Sequence, residues 1–240
     1  MKTAISTACF YLKEETENAL SIIKETGAEA CSVELKTFYE YRPEFAKKYF
    51  QNLGGVGVCS VETNAQNFEP QLFSPSRRVR GDGFYWLEQV MRSCQLFGAK
   101  RYVLKALPRG QNGNFEDGLQ FLNGISEFCQ SYGIILCIEN SPLGLLDSPS
   151  EIKKIKEACP GICFSLNLKG ASLPPNSLQA YLKETAGSLA QVAVDRETDF
   201  SKLIKSLKKC AFDGEIIVKE QNFTQISELK DLIKQINPSV

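Results

Sequence analysis

Short apolar runs recur along the whole chain at a spacing of about 30 residues, which is the size of one strand-plus-helix unit. Between them lie segments in which apolar residues return every three or four positions, as on one face of a helix. This alternation predicts eight strands and eight helices. The strands are predicted to begin near Lys2, Ala30, Gly57, Arg101, Ile134, Ile162, Ala190 and Glu215, and the helices to span 13–26, 43–52, 84–97, 115–131, 149–158, 176–186, 200–210 and 224–236.

A regular alternation of strands and helices without a change in composition is typical of a closed barrel. We therefore predict the α/β class, with a single (β/α)₈ TIM-barrel domain over residues 1–240. An open, doubly wound sheet is the alternative. It is disfavoured because Ser6-Thr7-Ala8-Cys9, which follows the first strand, lacks the glycine-rich turn that binds phosphate in those folds.

Charge and hydropathy exclude two classes of partner. The chain has 28 basic and 28 acidic residues, so its net charge gives no electrostatic sign of nucleic-acid binding and disfavours it. No apolar stretch approaches the roughly 20 residues of a membrane span, and residues 1–12 lack the apolar centre of a signal peptide. We expect a cytoplasmic protein that binds neither nucleic acid nor a membrane, and the sequence leaves a homo-oligomer open.

The chain contains nine cysteines and no histidine. The cysteines form no Cys-x-x-Cys pair, and most fall in apolar runs, so we expect reduced thiols that pack as small apolar side chains. The absence of histidine excludes Ser-His and Cys-His nucleophilic pairs, histidine bases and the commonest metal ligand of proteins.

Two buried strands are predicted to end on a glutamate. The run Gly-Ile-Ile-Leu-Cys-Ile-Glu-Asn covers residues 133–140, and Gly-Glu-Ile-Ile-Val-Lys-Glu covers residues 214–220. In parallel sheets the ligand crevice lies at the carboxyl ends of the strands. We therefore expect the carboxylates of Glu139 and Glu220 to face one cavity, separated by a gap that one ion or one sugar carbon fills.

Two other regions contain weaker candidates for ligand binding. Glu34 ends the second strand, and the aromatic residues after it, Tyr39 among them, would wall a sugar pocket or pack a helix. Residues 64–82 form a loop longer than compact domains usually carry, with few residues suited to the core. We predict that this loop is a lid whose arginines, including Arg80, bind a phosphate by paired hydrogen bonds; a solvated charged loop is the alternative.

Three stretches of the chain carry a resemblance to a known family. They are Leu72-Phe73-Ser74-Pro75 with Leu96-Phe97-Gly98-Ala99-Lys100-Arg101-Tyr102-Val103, the run 133–140, and Phe212-Asp213-Gly214-Glu215 continuing to Glu220. With these stretches the chain resembles the xylose-isomerase-like TIM barrels over nearly its whole length. That superfamily contains sugar and sugar-phosphate isomerases and epimerases, inositol-catabolism enzymes and type-IV AP endonucleases, so the resemblance leaves the substrate open.

The resemblance implies a metal site that this sequence has partly lost. In the family, glutamates ending the fifth and eighth strands, an aspartate ending the sixth and a histidine hold a divalent ion, and the two glutamates move a proton through an enediolate. Glu139 and Glu220 match the glutamates, whereas the aspartate falls on Asn167 and the histidine on Gly170. We expect Glu139, Asn167 and Glu220 to bind Mg²⁺ or Mn²⁺ weakly or not at all.

Lysines provide a metal-free alternative at the same strand ends. Lys105 follows the fourth strand, where other members of the family carry a histidine, and Lys169 follows the sixth. Their ammonium groups would replace the ion beside the glutamates. Asn140 and Arg196 are expected to contact the substrate, a small carbohydrate-like ligand.

Three functions follow from the resemblance. The first is a sugar or sugar-phosphate isomerase or epimerase with Glu139 and Glu220 as base and acid. The second is an inactive, metal-free barrel that binds a sugar-like ligand or a protein partner. The third is a lyase or aldolase in which Lys169 forms a Schiff base. Cleavage of abasic DNA by histidine-bound zinc ions is excluded, because the chain has no histidine.

Overall fold

The structure is a computed structural model that describes residues 1–105, 115–140, 146, 148–169, 173 and 177–237. In this part of the chain the strands form one closed parallel barrel, in which each strand pairs with the next and the first pairs with the eighth. The predicted (β/α)₈ barrel is confirmed, and the open sheet is excluded. None of the described helices has both the length and the apolar content needed to cross a membrane.

The strands and helices alternate as predicted. The strands are β1 Lys2–Ser6, β2 Ala30–Leu35, β3 Gly57–Thr63, β4 Arg101–Leu104, β5 Ile135–Glu139, β6 Cys163–Asn167, β7 Leu189–Val194 and β8 Glu215–Val218. The helices are α1 Thr16–Lys24, α2 Pro43–Tyr49, α3 Arg77–Phe97, α4 Phe115–Ser131, α5 Pro149–Ala158, α6 Leu178–Thr185, α7 Phe200–Lys209 and α8 Ile226–Ile236, with short 3₁₀ helices at Thr7–Phe10, Phe50–Leu53 and Glu69–Phe73.

Apolar side chains pack in two places. Between the strands and the helices lies one large core, to which both β-strand and helix residues contribute, for example Val33 and Leu87. Inside the barrel mostly small side chains pack together, and several of them stand at directly paired positions of neighbouring strands, such as Ala4 with Ala30 and with Ile217. These inner clusters are Ala4, Ala30, Cys59, Ala193 and Ile217, and Val103, Cys137 and Ala190.

Residues 64–82 differ from the prediction of a long loop with few core residues, which was wrong. The 3₁₀ helix Glu69–Phe73 buries Leu72 and Phe73, and α3 already begins at Arg77. Gly81 and Gly83 obscure the helical pattern of the sequence. Gly83 has a packing role, because a Cβ atom there would lie 3.1 Å from the backbone nitrogen of Leu72. The part of the segment that precedes α3 is therefore packed against that helix.

Glu69 connects this segment to the barrel. Its carboxylate is fully buried and accepts hydrogen bonds from Thr63 Oγ1 at 2.7 Å and from Tyr102 Oη at 2.8 Å. It also accepts one from the backbone N–H of Lys105 at 3.1 Å. Glu69 thereby fixes the ends of β3 and β4, and with them the position from which the Lys105 side chain starts.

Candidate active site

Five charged side chains meet inside the barrel at the carboxyl ends of its strands. Lys219 Nζ donates to Glu62 Oε2 at 2.7 Å and to Glu139 Oε2 at 3.2 Å. Lys105 Nζ donates to Glu34 Oε1 at 2.6 Å and lies 3.2 Å from Glu62 Oε2. We call these five residues the Lys/Glu network. It connects the ends of β2, β3, β4, β5 and β8 across the barrel.

The alternation of side chains along each strand explains why these residues point inward. Successive side chains of a strand face opposite sides, so residues two apart share a face. Ile217 lies in an inner cluster, which places Lys219 on the inner face as well, and Cys137 does the same for Glu139. Glu34 and Glu62 are direct partners in the pairing of β2 with β3. The strand register therefore brings the network together.

Burial decides how these charges behave. The Glu62 side chain is fully buried, those of Glu139 and Lys219 are 5% and 8% exposed, and those of Glu34 and Lys105 are 16% and 20% exposed. Buried charges are tolerated only when they are paired and hydrogen-bonded. Ser6 Oγ supplies a further donor, to Glu62 Oε1, at 3.3 Å. Glu34 and Lys105 form the end of the network that meets solvent.

The pKa shifts favour the charged forms of Glu62, Lys105 and Lys219. Burial opposes ionisation of Glu62, but the ammonium groups of Lys105 and Lys219 outweigh it and lower its pKa to about 2. Burial also opposes the charged form of both lysines. The neighbouring glutamates outweigh that effect and raise the pKa of Lys105 and of Lys219 above the ordinary value. Three carboxylates thus surround two ammonium groups, and the fully ionised network carries one net negative charge.

Glu139 receives further hydrogen bonds from β6. Ser165 Oγ donates to its Oε2 and Asn167 Nδ2 to its Oε1, both at 3.2 Å. The Asn140 side chain forms two hydrogen bonds with the backbone at the end of β6. Its amide nitrogen donates to the Asn167 carbonyl oxygen at 3.1 Å, and its amide oxygen accepts from the Asn167 N–H. Asn167, which was predicted to share a weak metal site with Glu139, instead donates a hydrogen bond to it, and Asn140 joins two strand ends.

The structure does not bring Glu220 to Glu139. Lys219 occupies the inner face of this strand end, so Glu220 faces the other way. Its carboxylate accepts from Arg196 Nε at 2.9 Å, from the Arg196 backbone N–H at 3.1 Å and from the Asn222 N–H. Burial raises the pKa of Glu220, but these donors outweigh it and lower the pKa below its ordinary value. The glutamate that shares the Lys219 ammonium group with Glu139 is Glu62.

Three other predicted ligand contacts have structural partners. Arg80 Nη1 donates to the carbonyl oxygens of Ser74 at 2.6 Å and Pro75 at 3.0 Å, so it closes the turn before α3. Arg196 Nη2 reaches Glu228 Oε2 at 3.1 Å in addition to its bonds with Glu220. Tyr39 is 58% exposed, and its ring packs edge-on against Phe45.

A cavity of about 310 Å³ lies beside the exposed end of the network. Glu34 and Lys105 form part of its wall, together with Tyr11, Asn64, Gln66 and Gln221. Lys169 Nζ donates to Gln221 Oε1 at 2.9 Å, so this lysine lies next to the cavity wall. Of the residues predicted from the sequence, Glu34, Lys105 and Lys169 are therefore the ones gathered around an open space.

The described residues at the carboxyl end of the barrel do not fit a divalent ion. In the described part of the chain no three Asp, Glu or Cys side chains are grouped to hold a metal. The Lys219 ammonium lies between Glu62 and Glu139, where a cation would bridge them, and Glu220 is bound to Arg196. Gly170, the position matched to the family's histidine, lies outside the described residues.

Sequence reasoning missed two members of the network, Glu62 and Lys219. Glu62 stands near the end of its strand, as Glu34 and Glu139 do, and the same rule applied to every strand would have selected it. Lys219 stands two residues after an apolar residue that faces inward, so the period of two along β8 was the available signal. The prediction instead selected Glu220, its neighbour on the other face.

No family model matches the chain, and neither does any curated protein. Solved structures do match it over almost its full length. A D-tagatose 3-epimerase-like protein has a TM-score of 0.80 at 16% identity, covering 100% of this chain and 99% of its own. D-psicose 3-epimerase in the presence of D-fructose has a TM-score of 0.77 at 12% identity, with 100% and 98% coverage. The probable 3-DHS dehydratase of petrobactin synthesis from Bacillus anthracis has a TM-score of 0.77 at 11% identity, with 98% coverage of both chains.

These similarities show the fold. The chain shares the (β/α)₈ barrel fold of these sugar epimerases, and the fold that the three sequence stretches implied is confirmed.

Proposed function

We propose that this protein catalyses a metal-independent isomerisation or epimerisation of a small, sugar-like hydroxy-carbonyl compound at the carboxyl end of the barrel. The observation that carries the proposal is the pair of Lys105 and Glu34, whose charged atoms lie 2.6 Å apart in the wall of a 310 Å³ cavity. Removing a proton next to a carbonyl group requires a base at the carbon and positive charge at the oxygen. The sugar epimerases among the similar structures support this class of substrate.

In this proposal Lys105 stabilises the oxygen of the substrate. Its raised pKa keeps it an ammonium ion at neutral pH, and an ammonium group has three N–H donors. Two of them point to Glu34 and Glu62 among the described residues, so one remains for a ligand oxygen. Because the cavity wall excludes part of the solvent, this interaction is stronger than it is in water.

Glu34 takes the proton from the carbon next to the carbonyl group. The electrons of the broken C–H bond form a carbon–carbon double bond, and the carbonyl oxygen becomes an oxyanion held by Lys105. Glu34 then returns the proton to the former carbonyl carbon, while the proton of the neighbouring hydroxyl group moves to the oxyanion and a new carbonyl group forms, which completes an isomerisation with one base. Glu62, Lys219 and Glu139 hold Lys105 charged and in place. These roles replace the proton transfer between Glu139 and Glu220 that the resemblance implied.

A ligand-binding barrel without turnover is the second candidate. The observation that favours it is the burial of Glu62, Glu139 and Lys219, which are nearly inaccessible and hydrogen-bonded to each other. A Schiff-base enzyme is less well supported. Imine formation requires a neutral amine, whereas the pKa of Lys105 and of Lys219 is raised. Lys169 stays a prediction for that role.

Proton exchange with solvent tests the proposal directly. The protein is incubated in D₂O with a panel of ketoses, aldoses and ketose phosphates, and deuterium next to the carbonyl group is followed by NMR. We expect exchange that continues in EDTA and that falls at least about 100-fold in Glu34→Gln. Glu44→Gln, which alters an exposed carboxylate on α2, is the matched control and should keep the full rate.

Each other outcome has a definite meaning. Exchange that requires added Mn²⁺ would contradict the metal-independent reaction and restore a metal-dependent isomerase. Binding of a sugar in NMR titrations without any exchange would establish the ligand-binding barrel. An unchanged rate in Glu34→Gln would remove Glu34 from the reaction.

A further inference from the structure

The amino end of the barrel contains a pair of cysteines on neighbouring strands. Cys137 on β5 and Cys163 on β6 are direct partners in the parallel pairing of these strands. Cys137 is fully buried, whereas Cys163 is partly exposed. Cys163 lines a cavity of about 320 Å³ at the start of β6, together with Arg101 and Cys210. One thiol of the pair is therefore accessible to a small molecule and the other is not.

The spacing of the two strands suits a disulfide. Neighbouring strands lie about 4.8 Å apart, and disulfides join Cα atoms that are about 4.4–6.8 Å apart. Both side chains face the barrel interior, because Cys137 packs in an inner cluster against which Cys163 also packs. The pairing of these two positions therefore allows a disulfide between them without a rearrangement of the strands.

The local charges activate Cys163. The Cys137 thiol donates a hydrogen bond to the Cys163 sulfur, which lowers the pKa of Cys163 to about 7 against the opposing effect of burial. The Arg101 guanidinium lowers it further. The same hydrogen bond, with burial, raises the pKa of Cys137 well above its ordinary value. By contrast, burial raises the pKa of several other cysteines to about 12: Cys9, Cys59 and Cys129.

We propose that Cys163 is a peroxide-reactive thiol and that Cys137 is its resolving partner, so that a hydroperoxide joins β5 and β6 through a disulfide. In the first step the Cys163 thiolate attacks a peroxide oxygen. The O–O bond breaks, Cys163 becomes a sulfenic acid, and the leaving hydroxide or alkoxide takes a proton from water. In the second step the Cys137 sulfur attacks the sulfenic sulfur, and the departing hydroxide takes the Cys137 proton and leaves as water.

The geometry distinguishes the roles of the two cysteines. A peroxide reaches Cys163 through the cavity, but it does not reach the fully buried Cys137. Thiolates react and thiols do not, so the hydrogen-bond acceptor of the pair attacks first. Cys210 lines the same cavity and shares its access. It therefore serves as a matched control for accessibility without a partner cysteine across a strand pair.

The first experiment uses the reduced, natural protein. Limited iodoacetamide labelling, followed by peptide mass mapping, should modify Cys163 at least about 10-fold faster than Cys210 at pH 7. The rate at Cys163 should rise with pH around a midpoint near 7. Equal or faster labelling of Cys210 would overturn the assignment of Cys163 as the activated thiol.

The second experiment adds one equivalent of hydrogen peroxide. We expect a peptide pair cross-linked through Cys137 and Cys163, whose mass is two hydrogen atoms below that of the two reduced peptides. Dithiothreitol should return the pair to the separate, reduced peptides. In Cys137→Ser the sulfenic acid should persist and be trapped by dimedone on Cys163, whereas Cys210→Ser should form the disulfide at the natural rate. Absence of the cross-link in the natural protein, or dimedone on Cys210 in Cys137→Ser, would overturn the proposal.

Discussion

The two ends of the barrel solve the same physical problem in different ways. Each end places charged side chains inside the ring of strands. At the amino end Arg101 forms a paired ion bridge with Glu215, one positive group for one negative group. At the carboxyl end the Lys/Glu network has three carboxylates for two ammonium groups, and Glu34 and Lys105 border a cavity. The amino end is therefore balanced, whereas the carboxyl end has charge available for a ligand.

This difference separates stability from chemistry. In the Arg101–Glu215 pair each charge has its partner, and the pair connects the starts of β4 and β8 across the barrel. Gly214 allows β8 to start close to β7, because a Cβ atom there would lie 2.0 Å from the Ala190 carbonyl oxygen, and only glycine allows that approach. The network holds its buried members in place and leaves its outer members exposed. Four predictions test this division, in order of decreasing effect.

The largest effect is expected from Lys219→Met. The substitution removes the ammonium group between Glu62 and Glu139 and leaves two buried carboxylates with a single cation, Lys105. Breaking a buried pair typically destabilises by about 3–5 kcal/mol, and we expect a loss of that size in the unfolding free energy measured with urea. Lys230→Met, at an exposed position on α8, should change it by less than about 0.5 kcal/mol.

The double variant Lys219→Met with Glu139→Gln sharpens this result. It removes one of the two buried carboxylates that lost the Lys219 ammonium group, so it should regain part of the lost stability although it carries one more substitution. A Lys219→Met protein as stable as the natural one would show that the network is not a stabilising unit.

Acid should weaken the carboxyl end more than the amino end. The pKa of Glu62 is lowered from 4.5 in the unfolded chain to about 2 in the fold, so its contribution is fully present above 4.5 and is lost as the pH falls toward 2. The contribution is on the order of 3 kcal/mol. Urea unfolding between pH 6 and about 2 should show this decline, and Glu62→Gln should reduce it. The same slope in Glu62→Gln and in the natural protein would contradict the assignment.

A smaller effect is expected from Arg101→Met at the amino end. The variant leaves Glu215 without its partner, but the Glu215 side chain is 12% exposed and regains some water. We expect a loss of about 2 kcal/mol in unfolding free energy. The rate of deuterium exchange at the other end should stay within about two-fold of the natural rate. A ten-fold loss of exchange would show that the two ends are coupled, and the comparison between them would fail.

The smallest effect is expected from Glu220→Gln. The side chain keeps its shape and some of its hydrogen bonds to Arg196 and Asn222, so the unfolding free energy should fall by about 1 kcal/mol. Exchange should again stay within about two-fold, because Glu220 faces away from the network. A loss of about 100-fold would instead support the two-glutamate transfer that the resemblance implied, and would contradict the assignment of Glu34 as the base.

The site residues were predicted from one rule, that ligand-binding side chains lie at the carboxyl ends of parallel strands. This rule explains both the successes and the failures of the site prediction. Glu34, Lys105 and Glu139 were selected because they end predicted strands, and all three lie in the network. The same rule selected Glu220, which lies one residue too far along its strand end. A shift of one residue reverses the face of the barrel on which a side chain lies. Strand limits read from a sequence are not accurate to one residue, so the position of a strand end alone does not predict the face of Glu220; only the period of two along β8 does.

The segment 64–82 failed for a related reason. Its prolines, arginines and glycines are typical of a loop, yet Phe68, Leu72 and Phe73 are buried and Glu69 binds the ends of two strands. Gly83 allows α3 to pack closely on the segment, and that close contact depends on a neighbour that the local sequence does not reveal. The composition of the segment therefore did not reveal that it folds into helical turns and packs against its neighbours.

The sequence alone determined the barrel, because a repeated strand-and-helix pattern buries its apolar faces in one closed arrangement. It also determined which chemistry is absent, since a chain without histidine has neither imidazole bases nor imidazole ligands. The tertiary structure decided which charges meet. Lys219 joins Glu62 although 157 positions separate them in the chain, and their contact depends on the register of β3 and β8 across the barrel. That register is set by the pairing and twist of all the strands together, which no local stretch of residues encodes.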